Sequence, residues 1–147
     1  MNPALYSSKT DEWATPQALF DELDSEFHFT LDPCANSKNH KCAAYYTKAQ
    51  DGLLQDWSGH VVFCNPPYGR QIKNWVEKAS SESQKLNTIV VMLIPARTDT
   101  TYFHEFISNK AEIRFIRGRI KFIGDKNYPA PFPSMIVVFK NKKEVVK

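Results

Sequence analysis

The sequence predicts an α/β domain whose mostly parallel sheet has an antiparallel edge. Strand-like and helix-like segments alternate along the first two thirds of the 147-residue chain, and hairpin-like strands separated by glycine and proline follow. The most strand-like segment is 88–94, because a continuous run of β-branched and apolar residues is typical of a central parallel strand buried on both faces. The length suits one domain over 1–147, with a flexible arm at 1–10 and a basic tail at 141–147.

Helical periodicity predicts the segments that connect these strands. Thr15-Pro16 supplies an N-cap followed by proline at the first helical position, and apolar residues then recur at helical spacing from Leu19 to Phe27. A second amphipathic helix contains residues 72–79, and Phe103–Ile107 indicates a third. The predicted strands are 29–31, 43–47, 61–64, 88–94, 113–116, 120–123 and 135–139.

Composition excludes several classes of protein. No apolar run approaches membrane-spanning length and no apolar signal segment begins the chain, so we expect no membrane contact and a cytoplasmic location. Cys34, Cys42 and Cys64 are odd in number and lack paired spacing, which suits a reducing compartment. Together with His40 they match no common zinc pattern, so we expect no metal. A net charge of +3 requires any nucleic-acid surface to come from local clustering.

The segment 61–68 carries the clearest chemical signal in the chain. It is an apolar strand that continues directly into Asn65-Pro66-Pro67-Tyr68. The two prolines fix φ and remove two backbone N–H donors, which leaves stiff carbonyl acceptors. Asn65 adds a side-chain acceptor and Tyr68 adds an aromatic face. A rigid pocket with these acceptors and this aromatic face fits a planar ring that bears an exocyclic amino group.

Several segments in a fixed order share a resemblance to one family. The octet 61–68 resembles motif IV of the amino-group methyltransferases, which act on adenine N6, cytosine N4 or a glutamine amide. The whole set is similar to the phage and prophage DNA N-6-adenine methyltransferase (Dam-type) family, and ordered motifs are far more specific than any single one. These segments are Asp11–Pro16, Leu31–Ala35, Asp51–Leu53, Asn65–Tyr68, Pro95–Thr98 and Gly118–Phe122.

The resemblance implies a Rossmann-like class I methyltransferase of reduced size that uses S-adenosylmethionine. Its implied reaction is methyl transfer to adenine N6 in double-stranded DNA. The Asn65 side chain and the Pro66 carbonyl would accept hydrogen bonds from the target amino group, beside Pro67. Tyr68 would stack on a base flipped out of the duplex.

The resemblance also assigns residues to the cofactor. Trp13, Thr15 and Pro16 match a segment that folds over its methionine end, and Asp32, within the Asp32-Pro33-Cys34 motif, matches an acid near its ammonium group. Asp51 matches an acid for the adenosine half. Residues 33–40 lack the glycine that most such enzymes carry, and we expect Asn36 and Asn39 to adopt positive φ in its place.

Clustered basic residues predict a DNA-binding surface. Arg117, Arg119 and Lys121 would share one face of a strand, where phosphate contacts would make the affinity salt-sensitive. Arg70 and Arg97 are further candidates near the cleft. No separate recognition domain fits in this length, so sequence specificity is expected from the short loops 69–74, 97–102 and 124–133.

Alternatives to this function remain open at the level of sequence. Cytosine N4 presents the same amino group on a flat ring, so N4-cytosine methylation of DNA is the nearest alternative. Protein glutamine methylation fits the basic segment poorly. A DNA-binding accessory protein that has lost cofactor binding is suggested by the glycine-free loop. The oligomeric state, monomer or homodimer, is left open.

Overall fold

The structure, a computed structural model, describes residues 13–122 and 129–141. The predicted arm at 1–10 and nearly all of the predicted tail lie outside these residues. The described elements, in chain order, are α1 (Gln17–Phe27), β1 (Leu31–Ala35), β2 (Ala44–Thr47), a 3₁₀ helix (Gly52–Leu54), β3 (Val61–Cys64), α2 (Ile72–Glu82), β4 (Ile89–Pro95), a π-helical turn (Phe103–Ile107), β5 (Glu112–Phe115) and β6 (Ser134–Phe139).

The described strands form one six-stranded sheet in the order β2-β1-β3-β4-β6-β5. Strands β2, β1, β3 and β4 are parallel, and β6 runs antiparallel to both β4 and β5. The prediction of a mostly parallel sheet with an antiparallel edge is therefore confirmed. The chain leaves β1 for β2 on one side and returns to β3 on the other, so the strand order reverses between β1 and β3. Open α/β sheets bind ligands at such a point, beyond the carboxyl ends of the strands.

Strand β4 forms the centre of the hydrophobic core, as its composition predicts. Residues Val90 to Ile94 are fully buried, with β3 on one side and β6 on the other. Helix α2 covers this part of the sheet with Trp75, Val76 and Ala79. The hydrophobic effect of this burial holds the carboxyl end of β3 in a fixed position.

Helix α2 is also fixed by a buried carboxylate. Glu82 is only 4% exposed, and its Oε1 accepts a hydrogen bond of 2.6 Å from the backbone N–H of Trp57. Lys78 and Lys85 lie 3.5 Å and 2.8 Å from its other oxygen. The carboxylate therefore ties the end of α2 to the loop that leads into β3.

The helix α1 and the first strand differ from the prediction in their start positions. Pro16 is the N-cap residue and no side chain caps α1, so the predicted capping role of Thr15 is wrong. Strand β1 begins at Leu31 rather than Phe29, because the Phe29 N–H donates to the Asp24 carboxylate at the end of α1.

Strand β1 also continues through Pro33 to Ala35, beyond the predicted end at Leu31. A proline without an N–H is tolerated there because the pairing of β1 with β2 shifts register between Asp32 and Ala35.

The predicted strand at 120–123 is not formed in its described part. Residues 119–122 are irregular, and Ile123 lies outside the described residues. The Ile120 carbonyl accepts a single hydrogen bond from the Ala130 N–H, while Ile120 and Phe122 are buried. The apolar residues that suggested a strand therefore serve packing instead. Among the described helices, none is long and apolar enough to cross a membrane.

Candidate active site

A cleft opens at the reversal point between β1 and β3. Its volume is about 240 Å³, and residues from the carboxyl ends of both strands line it. The segment before α1 and the loop after β1 complete its walls. The lining residues are Trp13, Ala14, Thr15, Asp32, Cys34, Asn36, Asn39, Lys41, Phe63, Asn65 and Pro67.

The side-chain amide of Asn65 has a defined orientation in this cleft. Its Nδ2 donates to the carbonyl oxygen of Trp13 and, at 2.9 Å, to Thr15 Oγ1. Because a backbone carbonyl can only accept, the nitrogen rather than the oxygen must face Trp13. The Oδ1 atom is buried, and no donor within residues 13–122 and 129–141 reaches it.

The segment Trp13–Thr15 reaches Asn65 because aromatic contacts anchor it. The Trp13 ring lies edge-to-face with Phe122 and Phe132, at centroid distances of 5.4 Å and 5.3 Å. Thr15 is only 3% exposed. The segment that precedes α1 in sequence therefore forms a wall of the cleft at the end of β3.

Tyr68 packs against the same phenylalanine rings that contact Trp13. Its ring contacts Phe132 and Phe122 edge-to-face, and its hydroxyl donates to the Leu93 carbonyl at 3.1 Å. Burial raises its pKa well above the usual value, so the phenol stays protonated and donates. Only 7% of Tyr68 is exposed, so stacking on a base requires neighbouring rings to shift. The stacking role stays a prediction.

Asp32 places a buried carboxylate in the cleft. It is 6% exposed, and it accepts hydrogen bonds from the backbone N–H groups of Cys34 at 3.2 Å and Lys41 at 2.9 Å. Burial raises the pKa of this carboxyl, and the two N–H donors partly offset the effect. Lys41 also lines the cleft, and its ammonium group donates to Gln17 Oε1 at 2.9 Å. Sequence patterns did not single out Lys41.

The glycine-free loop after β1 is organised by a side chain. Asn36 Oδ1 accepts from the backbone N–H groups of Lys38 at 2.9 Å and Asn39 at 2.7 Å, which forms an Asx turn. Neither Asn36 nor Asn39 has positive φ, so that expectation is wrong. Both asparagines line the cleft, and the Asx-turn preference of Asn was the signal that could have predicted their role.

Three residues that were predicted to contact the cofactor, Asp51, Pro16 and Pro33, do not line the cleft. The Asp51 side chain caps the 3₁₀ helix by accepting from the Leu53 N–H at 3.1 Å. It is not among the residues that line the cleft. Pro16, which caps α1, and Pro33, buried in β1, are also absent from the lining. Their predicted cofactor contacts stay predictions.

The cysteines do not form part of a metal cluster in the described residues. No group of three or more His, Cys, Asp or Glu side chains suited to a metal occurs there. Cys34 and Cys64 approach each other, with their Sγ atoms 3.7 Å apart at the ends of β1 and β3. Burial, with the nearby Asp32 carboxylate, raises the pKa of Cys42 to about 12, so this thiol is protonated at neutral pH.

The predicted basic residues lie on the surface near the same edge of the sheet. Arg97 follows β4, and Arg117 follows β5, both beyond carboxyl ends. The two arginines, with Arg70, Arg119 and Lys121, are exposed. The 117–121 segment is not a strand, since Arg117 and Gly118 form a bend with φ of 76° at Gly118. The predicted alternation of Arg117, Arg119 and Lys121 on one strand face is therefore wrong. The three side chains are nevertheless exposed.

Fold and cleft together define a class of protein. A mostly parallel α/β sheet with a polar cleft at its reversal point is the architecture of a small Rossmann-like methyltransferase. The family model described as DNA N-6-adenine-methyltransferase (Dam) matches residues 3–146. The chain belongs to this family, and it is an adenine-specific DNA methyltransferase.

Individual relatives agree with this assignment. A DNA N-6-adenine-methyltransferase of Haemophilus phage HP1 is 35% identical over 142 residues, covering 92% of this chain and 82% of the relative. One of Escherichia phage T1 is 33% identical over 72% of this chain, which spans 44% of that longer protein. A putative methyltransferase, YfdM, of Escherichia coli K12 is 40% identical over 40% of this chain and 71% of its own length. A DNA substrate and a methyl donor follow from the family.

Proposed function

We propose that the protein transfers a methyl group from S-adenosylmethionine to N6 of an adenine flipped out of double-stranded DNA, with Asn65 as the residue that binds the target amino group. One observation carries this proposal: Asn65 Oδ1 is a buried acceptor without a donor in the described chain. A buried carbonyl oxygen left unsatisfied costs about 1–3 kcal/mol. Such a cost at the wall of a cleft indicates a ligand that supplies the missing donor.

An adenine amino group supplies that donor. One of its hydrogens would bind Asn65 Oδ1 and the other the carbonyl oxygen of Pro66, whose rigid ring limits the movement of the acceptor. Two acceptors on one nitrogen draw its lone pair out of conjugation with the base. The lone pair would then be directed into the cleft between β1 and β3.

The cleft residues fit S-adenosylmethionine, which supplies a methyl group on a sulfonium centre. Its amino-acid end carries one positive and one negative charge. Asp32 offers a carboxylate in the cleft to the positive charge, and Lys41, which also lines the cleft, would turn its ammonium from Gln17 to meet the negative charge. Trp13 and Thr15 would cover this end.

The surroundings of the cleft suit duplex DNA. A second surface groove of about 480 Å³ follows Tyr68 directly and is lined by residues 69–74 and Tyr102. Arg70 lies in this groove, and Arg97, Arg117, Arg119 and Lys121 extend the exposed positive charge along the same edge. Phosphate contacts from these groups would hold the duplex while the target base enters beside Tyr68.

The experiment that tests this function is transfer of radiolabelled methyl groups to unmethylated DNA, followed by nucleoside analysis. We expect N6-methyladenine in duplex DNA. Replacing Asn65 with Ala is expected to lower the rate by about a hundredfold or more while leaving cofactor affinity unchanged, since a polar group that acts in the transition state is lost. Asn141→Ala is the matched control, because Asn141 follows β6 at the opposite edge of the sheet.

Each other outcome contradicts a defined part of the proposal. Absence of label together with absence of cofactor binding would favour a DNA-binding accessory protein. Labelled N4-methylcytosine would contradict the target base. Full activity of the Asn65→Ala variant would remove Asn65 from the reaction.

A further inference from the structure

We infer that Thr15 and the backbone of Trp13 are positioning groups that orient the Asn65 amide, and that the site for this reason requires asparagine rather than aspartate at position 65. The inference rests on the proposed function and adds residues that act through Asn65. A primary amide has two chemically different ends of nearly the same shape. Only one orientation presents its oxygen to an incoming amino group.

The hydrogen-bond partners of Asn65 select that orientation. The Trp13 carbonyl can only accept and therefore decides the orientation, and Thr15 Oγ1 accepts from the same Nδ2 and holds it there. Rotating the amide by half a turn would place Oδ1 against the Trp13 carbonyl, and the two oxygens would repel each other. The rotated amide would also turn its N–H groups toward the substrate amino group, whose hydrogens need acceptors.

Burial makes this selection strong. Thr15 is 3% exposed, so water cannot replace its hydroxyl as the acceptor without rearrangement. The contacts of Trp13 with Phe122 and Phe132 keep the backbone of the segment in place. The free energy that would be lost by an unpaired buried N–H therefore favours one amide orientation before substrate binds.

The same geometry discriminates between asparagine and aspartate. A carboxylate is a stronger acceptor than an amide, so Asn65→Asp would preserve or improve a site in which residue 65 serves only as an acceptor. In this structure, however, the carboxylate would have to face the Trp13 carbonyl without a proton to donate. The segment 13–15 would be repelled, and the orientation would be lost.

Steady-state methylation kinetics of three variants test the inference. For Thr15→Val, which has the same shape without the hydroxyl, we expect kcat to fall about tenfold, the effect of one hydrogen bond that holds the reacting geometry. Thr15→Ser keeps the hydroxyl and should restore kcat to nearly the wild-type value. For Asn65→Asp we expect a loss of about a hundredfold or more.

Measurements other than turnover separate positioning from folding and cofactor binding. Thermal unfolding should show that Thr15→Val is folded at the assay temperature. Saturating S-adenosylmethionine should keep any change in cofactor affinity out of kcat, so that the fall in kcat reports the positioning of Asn65. In the wild-type protein labelled with ¹⁵N-asparagine, both Asn65 side-chain protons should exchange slowly with solvent. Thr15→Val should shift one of these proton resonances much more than the other.

The results that would overturn the inference are distinct from failure of the proposed function. A wild-type protein without methyl transfer contradicts the function itself. An active wild type with an equally active Thr15→Val or Asn65→Asp variant contradicts the positioning role. If Thr15→Val fails to fold, the kinetics of Asn65→Asp and the exchange rates of the wild-type Asn65 protons still test the positioning role. Rapid exchange of both Asn65 side-chain protons would contradict that role.

Discussion

The carbonyl oxygen of Pro33 occupies the space into which a side chain on Gly52 would project. An added Cβ atom at Gly52 would overlap this oxygen, closer than real Cβ contacts occur. The Gly52 carbonyl in turn accepts a hydrogen bond of 3.0 Å from Trp57 Nε1. The backbone at Gly52 thus packs directly against β1, next to Asp32, and helps to hold the carboxyl end of that strand.

Replacing Gly52 with Ala is therefore expected to destabilise the protein. Overpacking of this kind costs about 1–3 kcal/mol, and the obstacle here is backbone rather than a flexible side chain. Chemical denaturation would measure the change in the free energy of unfolding. Gly59→Asn is the control, because a Cβ at Gly59 meets nothing within 4 Å and asparagine tolerates its positive φ of 77°. A Gly52→Ala variant as stable as the wild type would refute the close approach.

A second prediction concerns the buried carboxylate of Glu82. Glu82→Ala leaves the buried Trp57 N–H without its acceptor, and we expect a loss of about 1–3 kcal/mol of stability. Glu82→Gln keeps an acceptor oxygen and should lose less. Glu77→Ala, on the exposed face of α2, should change stability by less than about 0.5 kcal/mol. The idea fails if Glu82→Ala is as stable in thermal unfolding as Glu77→Ala.

A third prediction concerns the pH dependence of cofactor binding through Asp32. Burial raises its pKa above the ordinary value of 3.8, so the carboxyl group takes up a proton at a higher pH than an exposed aspartate does. Only the ionised form attracts an ammonium group. Affinity for S-adenosylhomocysteine should therefore be full at neutral pH and should fall as the pH decreases through the raised pKa.

Calorimetric titration over a pH series would measure this dependence. Asp32→Asn should bind S-adenosylhomocysteine weakly at neutral pH, and its affinity should change little as the pH falls. Asp21→Asn, on the exposed face of α1, should behave as wild type. A wild-type affinity that stays constant down to pH values near 3.8 would argue against Asp32 as the partner of the ammonium group.

A fourth prediction concerns the salt dependence of DNA affinity. Each phosphate contact that is removed should reduce the slope of log K against log salt concentration by about 1. We expect such a reduction for Arg117→Gln and for Arg119→Gln. Lys140→Gln removes the same charge at the opposite edge of the sheet, since Phe139 at the end of β6 pairs with Val90 at the start of β4. Identical slopes for all three variants would place the duplex elsewhere.

The elements that the sequence predicted well are those whose signal is short-range. Strand β3, helix α2 and strand β4 follow from apolar runs and helical spacing that lie within each element, and all were found close to their predicted positions. The Asn-Pro-Pro-Tyr segment directly follows β3, as predicted, because it adjoins that apolar run in the sequence. The family resemblance added the reaction, which periodicity alone does not contain.

The features that the sequence did not predict depend on distant partners. Thr15 has the composition of an N-cap, but its hydroxyl is used by Asn65, 50 residues away. Ile120 and Phe122 have the pattern of a strand, but both are buried in an irregular segment, and Phe122 packs against Trp13 and Tyr68. Lys41 carries no motif, and its place in the cleft wall follows the Asx turn at Asn36 and a hydrogen bond from its backbone N–H to Asp32.

The segment that holds the Asn65 amide is itself anchored to Phe122 and Phe132, which lie near the other end of the chain and much farther along it than any strand is from its partner, and this has a consequence for folding. Contacts that close long loops form after local ones, because their entropy cost must be met by structure already in place. The central sheet can therefore assemble before the segment at 13–15 docks. A molecule at that stage would have native secondary structure and a nearly complete core, yet the side-chain amide of Asn65 would still rotate. Acquisition of methylating activity should then lag behind acquisition of circular dichroism during refolding.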